Sequence, residues 1–439
     1  MIKLDRFQFA SSIILLYIVV NFSYAISYSI YGKYKIIFWL IPTLALAISG
    51  IMCYFITIKN GNRTNGGLHA AYFLLFFSIA IDLYQNYPTY RAVEIIFAFT
   101  LFTIIVVIFF GIENSARVVI ILATAWSSYI FLQEDYQSIG GDLLPIVIGA
   151  CKNLLHGIDP YTADYSKITG SAFFYLPVQW IFFLPAAKFN VDPRILNVII
   201  IVIFAIWAGK FGGINNKNIK MNSFNLLFMT IVISPIFTRA GQRTYILPYW
   251  LLLMILIWAF IKRKDMISAI LCGLLLAMRQ NFIFDAFIIF VGMIGNIKSV
   301  RLVTYCIISV TIAGLALSPF VIWHPGFFYE IFVHRPSIAI IGNLHNEIAS
   351  KQVGIVPIFR NFGLNIPIFM PQLIVVFVLF VVFVFKIPQT RFEIAIAAGG
   401  MDLLVALFGS QTFEYYWGSG FIIVMGALLA AATEKQWDN

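Results

Sequence analysis

Charge is scarce in this chain of 439 residues: 11% of positions are charged against 61% hydrophobic, and the mean hydropathy is +0.92. No polar run is long enough to build a water-soluble domain. That excludes an ordinary soluble enzyme and points to an all-α, polytopic membrane protein. Acidic residues are rarer still, 19 against 29 basic ones, for a net charge of +10. The basic residues sit in short clusters at the ends of apolar runs, which is the pattern of cytoplasmic loops and not of a nucleic-acid surface. Cysteine is limited to Cys53, Cys151, Cys272 and Cys306, without paired spacing, so neither a disulfide framework nor a metal site is expected. The histidines lack metal-ligand spacing. No Gly-rich phosphate loop occurs, and no cofactor is called for. The absence of an internal repeat weakens a transporter built from inverted halves.

What is present is one long polar interruption, from Glu134 to Pro177. Glu134, Asp135, Asp142, Asp159 and Asp164 place five of the 19 acidic residues there. Apolar residues between Leu143 and Leu155 fall at helical spacing, with Pro145, Gly149, Lys152 and His156 on one face. This predicts a helix lying on a membrane surface, too short to span, with Asp142 at its N-terminus and Gly157 at its C-cap.

Around it, the charge pattern orders the chain. Residues 1–133 hold candidate spans at 8–31, 36–58, 68–86, 92–112 and 117–133, the first read as a retained span and not a cleaved signal. Residues 134–192 form a long external loop, because the run 171–187, with two prolines and many aromatics, suits an interfacial or re-entrant segment. Core spans occupy 193–323. Within them, 266–297 lies between two inside clusters, Lys262–Lys264 and Lys298/Arg301, and so must be a hairpin of two short helices turning at Arg279-Gln280-Asn281. A second external loop covers 324–365, and C-terminal spans fill 366–439. The total is about 14 spans of bilayer length.

Four polar groups then share the outer face: the Asp142 loop, the turn Arg239-Ala240-Gly241-Gln242-Arg243, the Arg279 turn, and the loop with His324, His334, Arg335, His345, Glu347 and Lys351. Charges at a bilayer boundary are costly and hint at function. Arginine forks suit a phosphate, and a carboxylate suits deprotonation of a hydroxyl.

Asp142, LLPIVIGACKNLLHG, Ile158-Asp159-Pro160-Tyr161 and Phe173-Phe174-Tyr175-Leu176-Pro177 resemble the first external loop of polyprenol-phosphate-sugar-dependent glycosyltransferases, the nearest match being glycosyltransferase family 87. Ser234-Pro235 through Gly241-Gln242, then Gly273 and Arg279, are also similar. The resemblance covers roughly residues 142–301. It implies a GT-C-type fold and transfer of a sugar, a hexose such as mannose or a pentose, from a polyprenyl phosphate to a lipid or glycan acceptor outside the cytoplasmic membrane. Asp142 would be the base. Asp159, Tyr161, Tyr175, Arg239, Gln242, Arg243, Arg279 and Gln280 would bind substrate, joined on the ground of the shared outer face alone by His334 and Arg335 of the second external loop. Partners would be the lipid-linked donor, the acceptor and membrane lipids. Two positions depart from the family pattern: Pro145 stands for a tyrosine, which bears on acceptor contacts, and Arg279 for a lysine, which keeps the charge.

Simpler readings stand beside these. Asp142 can be a helix cap, Asp159 before Pro160 a turn residue, Arg239 and Arg243 snorkelling cations. Asp285 and Asp402 read as paired structural groups, and the external histidines as loop surface. A lipid-linked sugar transporter or flippase, or a lipid-linked polysaccharide polymerase or ligase, would bind the same headgroup.

Overall fold

A computed structural model describes residues 124, 125, 127, 128, 131, 132, 143–163, 165, 173, 175–211, 235–294, 299–334, 373–378, 381, 390–407 and 414–432. Among them the regular structure is all-helical, with no strand. The spans expected at 8–31, 36–58, 68–86 and 92–112 lie outside these residues.

The helices are α1 (Leu143–Leu155), α2 (Pro177–Ile181), α3 (Leu184–Phe189), α4 (Arg194–Phe211), α5 (Pro235–Arg243), α6 (Leu247–Ile261), α7 (Asp265–Leu276), α8 (Phe282–Ile294), α9 (Ser299–Trp323), α10 (Phe327–Tyr329), α11 (Arg391–Leu407) and α12 (Glu414–Ala432). A π-helical turn, Glu330–His334, follows α10.

Helix α1 has the bounds its periodicity predicts. Gly157 ends it at φ +73°, and Ile158 N–H reaches back to Asn153 O at 2.9 Å, a Schellman closure. Residues 177–189 form no continuous helix: they break into α2 and α3, each with a proline in its first turn. Asn190, left-handed at φ 51°, closes α3 with Val191 N–H on Ala186 O.

The hairpin expected over 266–297 is present as α7 and α8, of 12 and 13 residues, joined through 277–281. At the other end of α7, Arg391 Nη1 binds Phe260 O and Asp265, tying the start of α11 to the α6–α7 turn. Among the described residues, α9 alone is long and apolar enough to cross a membrane. Its 25 residues extend about 37 Å, more than a hydrocarbon core of ~30 Å. Pro319 removes the N–H that would bind Leu315 O, and Ser318 Oγ binds that carbonyl instead.

Helices α6, α7, α8, α11 and α12 pack into one apolar core, with α11 against α8 and α12 and α6 against α12. Glycine sets the α11–α12 approach: a Cβ at Gly399 or Gly420 would meet the other's carbonyl at 3.0 or 2.8 Å. A second, smaller core joins α1–α3, Tyr245, the end of α9 and α10. Val300, Val303, Ile307, Val310, Leu315 and Ile322 leave α9 with an exposed apolar face.

Candidate functional site

The loop of α1–α3 meets three distant segments at one end of the helix core. The first contact is made by its turn after Gly157. Asp159 Oδ1 accepts Tyr161 N–H at 2.9 Å, the Asx turn that Asp-Pro favours. Its Oδ2 then lies 3.2 Å from Nδ1 of His324, just past α9. His324 Nε2 is buried without a hydrogen-bond partner. The second contact is aromatic: Tyr175 packs on Tyr245, centroids 4.6 Å apart, beside the C-terminus of α5. The third is a backbone bond, Val178 N–H to Ala277 O at 3.3 Å, in the α7–α8 turn.

Between these contacts the aromatics form the floor. Tyr161 touches Phe173, Trp180, Phe320 and Phe327, and its hydroxyl accepts Trp180 Nε1–H at 3.2 Å while donating to Tyr175 O at 2.8 Å. Tyr161, named above as a substrate-binding residue, is fully buried in this cluster. Cys151, on the buried side of α1, donates to Trp180 O, and burial pushes its thiol up to about 12, which removes it as a nucleophile.

The α5–α6 turn is pinned by Asn197, whose side-chain amide binds Gly241 O at 2.7 Å and Thr244 O at 3.2 Å. Gln242 is buried there. Arg243 is half-buried, and its Nε has no hydrogen-bond partner. Of Arg239, the backbone lies in α5. Asp142 and Arg335 lie outside the described residues.

Arg279, at the turn of the hairpin, is buried, its guanidinium over the Tyr249 ring at 5.2 Å and its charge acting on Asp285 and Asp402. The turn is covered by α2 through the bond from Val178 N–H to Ala277 O. Gln280 beside it is half-buried. His334 stays outside the cluster, exposed on the π turn, 3.1 Å from Glu330 Oε2 and stacked on Tyr329. His324 is the residue that sequence reasoning treats as loop surface and the fold does not. Its signal in the sequence is its place one residue beyond a long apolar run.

Among the described residues no group of three or more His, Cys, Asp or Glu side chains is arranged to hold a metal. No protein-family model, curated protein or solved structure matches the chain.

Proposed function

We propose that the chain is an integral-membrane glycosyltransferase that takes a sugar from a polyprenyl-phosphate donor and gives it to a lipid or glycan acceptor outside the cytoplasmic membrane. The observation that carries the reading is the convergence of the α1–α3 loop, the α5–α6 turn, the α7–α8 turn and the His324 segment at one end of the helix core. The apolar, exposed face of α9 supports a membrane location. A headgroup site at a bilayer boundary needs this arrangement: apolar helices below, and cations and carboxylates gathered above them.

In the reaction, Asp142 removes the acceptor hydroxyl proton, the acceptor oxygen bonds to the anomeric carbon, and the bond from that carbon to the phosphate oxygen breaks. The polyprenyl phosphate leaves with the electron pair. Arg243, at the end of α5 with an unpartnered Nε–H, suits that phosphate better than Arg279, whose charge already faces two carboxylates. The test is incubation of purified protein with radiolabelled polyprenyl-phosphate sugars and a membrane lipid extract. Labelled product from wild type, cut on the order of 100- to 10,000-fold in Asp142→Asn, is expected; no transfer from any polyprenyl-phosphate sugar refutes the reading.

A further inference from the structure

Below the loop cluster the helix core holds an unbalanced charge group. Asp285, in the first turn of α8, is 1% exposed, and neither carboxylate oxygen has a hydrogen-bond partner. Asp402, in α11, is buried with its Oδ2 also unpartnered, and the Gly420 backbone N–H of α12 reaches its carboxylate.

The helix register brings the two acids together. Arg391 fixes the start of α11 at the α6–α7 turn, the end of the core away from the α7–α8 turn, so α11 runs antiparallel to α8. A Cβ at Gly292 would run into Ile394, which places those residues opposite one another. About two turns back along α8 stands Asp285, and about two turns on along α11 stands Asp402. The charges of the pair act on each other. Arg279, over the Tyr249 ring from α6, is the cation acting on both among the described residues.

Among the described residues, two ionised carboxylates against one guanidinium leave a net negative charge in the core, with three acceptor oxygens idle. Buried charge persists only when paired. No third carboxylate, His or Cys joins the pair among the described residues, so the group falls short of a divalent-ion ligand set. One further positive charge balances it.

We propose that Asp285 and Asp402 together bind a single monovalent cation, a proton or Na+, beside Arg279 in the helix core. The site lies directly beneath the α7–α8 turn, whose Arg279 it shares, and holds whether or not the chain transfers sugar. Its occupancy ties the contact of α8 with α11 to the cation.

Two measurements on purified full-length protein in detergent micelles decide it. The first follows the thermal unfolding midpoint as NaCl replaces choline chloride at constant ionic strength. The second follows the infrared carbonyl absorption of protonated carboxylic acid at neutral pH. A saturable rise with Na+ in wild type, lost in Asp285→Asn, identifies Na+. A protonated-acid band in wild type, reduced in Asp285→Asn and Asp402→Asn without any Na+ response, identifies a proton. Asp285→Asn resembles the neutral acid in shape and charge, so it is expected to fold. Should it not, Asp402→Asn takes its place. Absence of both signals in wild type overturns the proposal, as does a band or a Na+ response of equal size in a folded variant.

Discussion

The hydroxyl of Tyr161 serves two partners inside the aromatic floor, accepting from Trp180 and donating to Tyr175 O. Tyr161→Phe keeps the ring packing and takes away the acceptor of a buried indole N–H. An unsatisfied buried donor costs about 1–3 kcal/mol, so the unfolding midpoint should fall while the fold persists. An unchanged midpoint would show that the hydroxyl holds nothing. At Asp142 the same logic separates two roles. Asn caps a helix about as well as Asp, whereas losing a general base costs on the order of 100- to 10,000-fold in rate. Asp142→Asn should therefore leave thermal stability intact and abolish most transfer. Near wild-type turnover in Asp142→Asn would make the residue a cap and move the base elsewhere. Cys151 offers a control on the packing. Its thiol, raised by burial to about 12, stays protonated through the neutral range, so maleimide should modify it only after unfolding.

At the scale of elements, α1 was readable because its periodicity and its terminal glycine agree. Gly157 holds φ +73°, and a Cβ there would meet nothing within 4 Å. The cost of Gly157→Ala is thus conformational alone, about 1–2 kcal/mol for an L-residue in the left-handed region. Gly157→Asn should cost less, as Asn190 shows by adopting the same region at the end of α3. A loss as large in Asn as in Ala, measured by thermal unfolding, would point to a contact instead of a backbone strain. The two short helices α7 and α8 were readable because the basic clusters on either side leave a run that divides into two at the polar Arg279-Gln280-Asn281 turn. The break into α2 and α3 was not, because a proline-rich aromatic run looks the same whether its helix is continuous or split. The charge partners of Arg279 were hidden for a different reason. Asp285 stands in the first turn of the very next helix, but Asp402 comes from α11, and only packing brings it to the same place. His324 was hidden likewise: Asp159, its neighbour in space, is set by the docking of two loops.

The described helix core has two ends with different chemistry. One gathers the α1–α3 loop, Arg243, the α7–α8 turn and His324. The other carries Lys262, Arg263 and Lys264 at the α6–α7 turn, where Arg391 ties in α11. If the first end faces outward and the second the cytoplasm, as positively charged loops direct, labelling must distinguish them. Lys152 on α1 and Arg263 in the turn are both exposed, so neither substitution disturbs packing. In a background with the four native cysteines replaced, Lys152→Cys should react with an impermeant maleimide in intact cells. Arg263→Cys should react only after the membrane is permeabilised. Labelling of both in intact cells would place the two ends on one side of the membrane, and the proposed external site would lose its basis. Labelling of Arg263→Cys alone would invert the orientation and put the loop cluster, with its lipid-phosphate chemistry, on the cytoplasmic face.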